Sequence, residues 1–314
     1  MTEAAAAGML PHFPVEVSAP DISAWTAGNT GVPGFTTLAS GKPGPHVGIT
    51  GLMHGNELAG AIVLEQLLRS KFVPRIGKLT VGFANLAAFA RFDPAQPTAS
   101  RFVDEDLNRL WDPVILNGLR RSSELDRARA MRPLIDQMDM LLDIHSMLWP
   151  SDPLILSGPT AKGRALGRLI GIPPLVIADH GHVSGPRLID YARFTGPGPA
   201  AAVLVEAGQH WEQETVICAR ACLGALLRQI ELEAGETPRS EIQIAEVTLA
   251  VTAATTGFAF VRNFRGGQVI PARNTLIALD GNTEIRTPHD DCMLVMPSLR
   301  PSRGHTAVRL ARLL

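Results

Sequence analysis

The sequence predicts an α/β fold: a mostly parallel mixed sheet flanked by helices, followed by a small C-terminal all-β domain. Three observations lead there. Strand-length apolar runs alternate with helix-length amphipathic runs from residue 45 to residue 233, the pattern of a parallel sheet. Composition turns to Gly, Glu, Pro and Ser near Glu233–Ser240, as in a linker. Beyond it, short apolar runs are broken by Arg265-Gly-Gly, Asp280-Gly-Asn and Pro288, which reads as β structure. The expected units are 1–235, with an N-terminal extension, and 241–314.

Taken in order, residues 1–44 are rich in Gly, Pro, Ser and Thr, with short strands expected at Phe13–Val17 and Phe35–Ala39. Strand 45–50 leads into helix 57–70, where Leu58, Ala61, Ile62, Leu64 and Leu68 form an apolar face. Leu79–Ala84 is the next strand, and 91–122 reads as irregular and polar. A helix over 123–138 precedes the strand Met140–Ile144, which ends on His145. Strand Leu154–Ser157, a helix near 161–170, strand Leu175–Ala178 and a Gly/Pro-rich stretch at 181–200 follow. Strand Ala202–Val205 ends on Glu206, and helix 212–233 closes the unit. The β-rich tail contributes Ile242–Val251, Gly257–Val261, Thr275–Ala278 and Met293–Met296.

Bulk properties exclude several function classes. With 46% hydrophobic and 19% charged residues, the chain is globular and not disordered. A net charge of -1 offers no electrostatic reason to bind nucleic acid or an anionic membrane. Aromatic content of 5% argues against base-stacking surfaces. The first residues lack the positive flank and apolar core of a signal peptide, and no run reaches membrane-spanning length. Cys218, Cys222 and Cys292 form no CxxC spacing, so a reducing, cytoplasmic setting is expected. A homo-oligomer is compatible with all of this.

The chemistry gathers at predicted strand ends, where parallel sheets collect functional groups. Gly51-Leu-Met-His-Gly-Asn-Glu57 bridges a strand and a helix, and His54 and Glu57 are a candidate pair of zinc ligands. No HExxH arrangement is present, so Glu57 is better read as a ligand than as the base. Asp143-Ile-His145 offers a third ligand, His145, with Asp143 on the same strand face to support it. Glu206 ends an apolar strand, where a carboxylate is costly unless it is paired or functional, and suits a general base. Between these lie Arg101 and Asn108-Arg109, candidates for carbonyl polarisation and carboxylate binding. Asp104 and Asp106 read as loop-ordering groups. His180 and His182 read as a Gly/His loop bordering the pocket, and Cys218 and Cys222 as a packed helix face.

His54-Gly-Asn-Glu57, Asp106-Leu-Asn-Arg109, Asp143-Ile-His145 and Glu206-Ala-Gly208 occur in the order and spacing of the succinylglutamate desuccinylase/aspartoacylase family, a zinc carboxypeptidase-like branch that the chain resembles over roughly 45–235. The β-rich tail also resembles that family's C-terminal domain. The resemblance implies one Zn2+ per chain on His54, Glu57 and His145, with Glu206 as base and acid. It implies Arg101 on the scissile carbonyl, and Asn108 and Arg109 on a substrate carboxylate. The chain departs from the family in Ser146, where aspartoacylase has Asn, and in having no Tyr after Tyr191. Arg193 or Arg187 is a candidate for the arginine that some members place on an acyl carboxylate, and His210 for a further substrate contact.

The expected activity is zinc-dependent hydrolysis of the amide of a small N-acyl amino acid or related N-acylated amine. A carboxypeptidase of short peptides and a non-catalytic metal- or ligand-binding protein of the same fold are the competing readings.

Overall fold

The strands run along the chain as β1 (Phe35–Ala39), β2 (His46–Gly51), β3 (Lys78–Phe83), β4 (Met140–Met147), β5 (Leu154–Leu156), β6 (Leu175–Ala178), β7 (Ala201–Gln209), β8 (Gln243–Thr252), β9 (Phe258–Phe260), β10 (Val269–Ile270), β11 (Leu276–Asp280), β12 (Thr283–Arg286), β13 (Cys292–Val295) and β14 (Thr306–Leu313). The longer helices are α1 (Leu58–Arg69), α2 (Ser123–Ile135), α3 (Ala161–Ile170) and α4 (Gln213–Gln229). The computed structural model describes residues 11–235 and 241–314, so the expected linker falls largely outside the described residues.

Most strands form one 11-stranded mixed sheet, in the order β1-β3-β2-β4-β7-β5-β6-β8-β14-β13-β10. Neighbours from β3 through β7 are parallel, β5 runs antiparallel to β7, and β8 runs parallel to β6. The C-terminal strands β8, β14, β13 and β10 then pair antiparallel and extend this sheet, while β12-β11-β9 make a separate 3-stranded sheet. The α/β architecture is the one expected from the alternation of elements, and the added C-terminal antiparallel strands agree with the β structure read beyond the linker.

The two faces of the central sheet are separated by the period-2 alternation of strand side chains. Val47 and Ile49, Leu142 and Ile144, and Ala201, Val203 and Val205 point to the face covered by α1, α3 and α4. Leu141, Ala202 and Leu204 point to the other, where α2 packs through Leu125, Ala128, Met131 and Ile135. By the same parity, Asp143, His145 and Glu206 lie on this second face. A third apolar cluster, including Phe264, Ile277, Leu294 and Leu310, holds the C-terminal strands together.

Several boundaries differ from the expectation. Phe13–Val17 alternates but is not a strand: Glu16 N donates to Trp211 O at 3.0 Å, and Phe13 packs against Trp149 and Trp211. The 91–122 stretch contains a turn at Leu107–Arg109 and a short helix at Pro113–Asn117. Strands β4 and β7 run past the expected ends, because each is hydrogen-bonded to the other through His145 and Glu206. Strands β10, β12 and β14 are additional to those expected. Among the described residues no helix is long and apolar enough to cross a membrane, and the three cysteines are free.

Candidate active site

The site is built where β2, β4 and β7 end. Parallel pairing puts His145 of β4 in register with Glu206 of β7, and Asp143 beside Thr50 of β2. His54 and Glu57 come from the loop between β2 and α1. Gly55 is required in that loop: an added Cβ would strike the backbone of Ala88, Phe89 and Ser100. This close approach lets Gly55 N donate to Arg101 O at 3.1 Å, which sets Arg101 beside His54.

The loop carrying Arg101 to Arg109 is held from below. Glu124, at the start of α2, accepts from the backbone N–H of Val103 at 2.6 Å, Asp104 at 3.0 Å and Glu105 at 3.3 Å. Asp106 caps the next turn by accepting from Asn108 N at 2.8 Å. Asp104 accepts from Ser123 N at 2.7 Å, so both aspartates order the backbone as read from the sequence.

His54, Glu57 and His145 are buried and offer one ligand atom each, all within 4.8 Å of one another. Glu57 Oε1 lies 2.7 Å from His54 Nδ1, and its Oε2 lies 2.9 Å from His145 Nδ1. The opposite ring nitrogens face carboxylates: His54 Nε2 is 2.9 Å from Asp106 Oδ1, and His145 Nε2 is 2.8 Å from Asp143 Oδ2. Asp143, fully buried, also accepts from the Thr50 hydroxyl at 2.7 Å. Carboxylates behind both imidazoles fix ring orientation, the usual support of a zinc site. Two imidazoles and a carboxylate fit Zn2+, so these residues suit the metal that the resemblance implies.

The electrostatics of the cluster are strongly coupled. Burial works to raise the Glu57 carboxyl, but His54 and His145 hold it well below the usual range. Burial opposes the His145 imidazolium, yet Asp143 and Glu57 raise it well above its ordinary value. Burial likewise opposes ionised Asp106, which His54, Arg101 and Arg109 keep far down.

Glu206 stands apart. Burial pushes its carboxyl up to about 8, despite the opposing pull of His145, and its Oε2 has no hydrogen-bond partner among the described residues. Gly208, at φ 140°, turns the chain just beyond it, where a Cβ would press on Thr215.

A cavity of about 210 Å³ opens in front of these groups. It brings together His54, Glu57, His145, Glu206, Arg101, Asn108, Arg109 and His210. Arg101 NH2 donates to Asp106 Oδ2 at 3.1 Å, and NH1 is 3.5 Å from Glu57 Oε1. Asn108 accepts from Leu188 N at 2.7 Å through Oδ1, and its amide nitrogen is 3.4 Å from His145 Nε2. Arg109 donates to Asn108 O at 2.5 Å, and burial lowers its guanidinium to about 10. His210 Nδ1 lies 2.8 Å from the Ser146 hydroxyl, and burial depresses its imidazole to about 3, so the ring is neutral.

Arg193 is elsewhere, and its assignment to substrate needs correction. Its Nε donates to Met138 O at 3.0 Å, and its NH2 is 3.6 Å from Asp139. Met138 precedes β4 and His145 lies near the other end, roughly 20 Å away at about 3.3 Å per residue. Arg187 does reach the cavity wall, but its donors go to Asp179 (2.9 and 2.7 Å) and Asp190 (2.8 and 3.0 Å).

Residues absent from the sequence reading complete the wall. Arg309 of β14 lines the cavity with Thr306 and Met296. The signal was present: Arg309 interrupts the apolar run Ala307-Val308…Leu310-Ala311, the same anomaly that marks Glu206. His182, read from the sequence as part of a loop bordering the pocket, also lines the cavity, while His180 is exposed. Burial and the nearby Arg109, Arg309 and Arg187 lower His182 to about 3.

Comparison with known proteins agrees with this construction. Residues 43–152 match the family model described as succinylglutamate desuccinylase/aspartoacylase catalytic domain. That span holds every residue of the three-ligand cluster and the Arg101–Arg109 loop, while Glu206 lies beyond it. An N-acyl-aromatic-L-amino acid amidohydrolase (carboxylate-forming) A from Danio rerio is 26% identical over 109 residues, and the match spans only 32% of each chain. A succinylglutamate desuccinylase structure from Vibrio cholerae superposes with a TM-score of 0.69 at 17% identity, covering 89% of this chain and 85% of that one. Murine aminoacylase 3 superposes with a TM-score of 0.64 at 16% identity, covering 87% and 96%. Residues 43–152 thus match the catalytic-domain model of the succinylglutamate desuccinylase/aspartoacylase family, and the chain shares the fold of solved structures of that name.

Proposed function

We propose that the cavity hydrolyses the amide of a small N-acyl amino acid or related N-acylated amine, with one Zn2+ held by His54, Glu57 and His145. The observation that carries this is Glu206: a buried carboxylate with an uncommitted oxygen, in register with His145 at the edge of a three-ligand cluster. Such an oxygen is expensive to leave unpaired unless water or substrate meets it.

Zinc at this position supplies Lewis acidity, which polarises a carbonyl and makes a bound water more acidic. The protein groups perform the remaining steps. Glu206 accepts a proton as water oxygen bonds to the amide carbon. The raised affinity of its carboxyl for protons favours that transfer, although a nearby cation draws the value back down. Arg101 faces the oxygen on which negative charge develops. As the C–N bond breaks, Glu206 returns the proton to the departing nitrogen, releasing a carboxylic acid and an amine. Asn108 and Arg109 hold a carboxylate of the substrate, and neutral His210 contributes a further polar contact.

The cavity, about 210 Å³, is below the roughly 300–1,000 Å³ usual for drug-sized ligands. That size favours a compact acyl amino acid over an extended peptide. The C-terminal segment supplies Met296, Thr306 and Arg309 to its wall, so we assign residues 241–314 a role in closing the entrance. The test is a screen of metal-loaded protein with acetyl, succinyl and aromatic acyl amino acids beside short peptides, read by amine release. Turnover of acyl amino acids is expected. Preference for peptides, or no release across the panel, rejects the proposal.

A further inference from the structure

Arg309 lies within β14, between buried Val308 and buried Leu310, and is itself only 8% exposed. Its nearest carboxylate is Asp179, where Nε stands 3.6 Å from Oδ2, beyond hydrogen-bond range. Asp179 already accepts from Arg187 on both oxygens, and Asp190 takes the rest of the Arg187 fork. The two arginines therefore differ. Arg187 is committed to the protein, whereas no described residue accepts a hydrogen bond from the Arg309 side chain. Its guanidinium borders the cavity, in the field of Asp179, Arg187, Glu206 and Asp190, with Arg109 and His182 also near. None of its nitrogens is among the buried unpaired atoms, so its five free donors face the cavity, where a ligand can accept from them.

We propose that Arg309 is a specificity-determining residue that takes a second carboxylate of the substrate, apart from the one assigned to Asn108 and Arg109. This rests on the reading of the cavity as an N-acyl amino acid site. The planar fork of an arginine suits a carboxylate, and a charge-assisted pair in a buried wall discriminates strongly against a neutral group. The second carboxylate has two sources, the acyl chain or the side chain of the amino acid.

The experiment measures binding by calorimetry, using zinc-loaded full-length Glu206→Gln protein so that nothing is turned over. N-acetylalanine carries one carboxylate, N-acetylglutamate adds one on the amine side, and N-succinylalanine adds one on the acyl side. One of the two dicarboxylates is expected to bind at least about tenfold more tightly than N-acetylalanine, and the preferred one identifies the side. Adding Arg309→Gln is expected to bring that ratio to about one. Should that variant fail to fold, Arg309→Lys gives the reading: charge without the fork keeps only part of the ratio. A ratio below twofold before any Arg309 change, or one that survives Arg309→Gln or Arg309→Lys intact, overturns the proposal. Because the ratio is read without turnover, an absence of hydrolysis by the wild-type protein counts against the hydrolase reading alone.

Discussion

Replacing Asp143 should weaken the proposed zinc binding in two graded steps. Asp143 is fully buried, so water does not screen its charge, and its Oδ2 is 2.8 Å from His145 Nε2. A carboxylate in that position orients the imidazole and makes the opposite nitrogen a stronger donor to metal. Asp143→Asn keeps an oxygen to accept from the ring and a group to meet the Thr50 hydroxyl, but loses the charge. Asp143→Ala loses both. Groups of this kind are worth about ten- to a hundredfold in metal affinity, so Asn should cost about tenfold and Ala about a hundredfold. At about 1.4 kcal/mol per factor of ten, that is roughly 1.4 and 2.8 kcal/mol. The assay is competition against a chelator of known zinc affinity at pH 8, where protons compete least for the imidazoles. Urea unfolding of the metal-free variants separates weakened binding from lost fold. Asp143→Ala protein that is folded yet binds zinc within twofold of wild type refutes the reasoning.

Three further outcomes follow from the same geometry. Arg187→Met should cost about 3–5 kcal/mol in urea unfolding, because it strands buried Asp179 beside Asp190; a loss below about 1 kcal/mol would show that another group already neutralises Asp179. Arg193→Ala should leave KM within about twofold, since the side chain sits at the far end of β4, and a KM rise of tenfold would restore it to the substrate site. Chelator-treated protein should lose stability as pH rises from 4.5 through about 8, because folded Glu206 holds its proton over that window while the unfolded chain has released it. Glu206→Gln should flatten this slope in urea midpoints, and an unchanged slope would place its origin elsewhere.

Local pattern carried most of the catalytic half of the fold. The apolar runs at His46–Gly51, Met140–Met147 and Ala201–Gln209 are strands buried along nearly their whole length, and such strands announce themselves by composition. His145 and Glu206 were conspicuous as polar residues in those runs. Their register was not legible, because strand pairing depends on partners far apart in sequence. The same limit hid β14, whose partner β8 lies some sixty residues earlier and whose Arg309 and Arg312 break the apolar alternation. Phe13–Val17 erred in the other direction. Its alternation reflects packing on Trp149 and Trp211, with no neighbouring strand among the described residues to complete a ladder. Arg193 was attractive because it precedes Glu206 in sequence, but it sits by the start of β4 and β7, while Glu206 lies near the far end of β7.

The most direct test of the central claim is to measure zinc content and amine release together on wild type and Glu206→Ala. The account predicts one ion per chain in both proteins, held by His54, Glu57 and His145, with turnover abolished only in the variant. Loss of the zinc on removing Glu206, or hydrolysis that continues without it, would contradict the division of roles between the three ligands and the base.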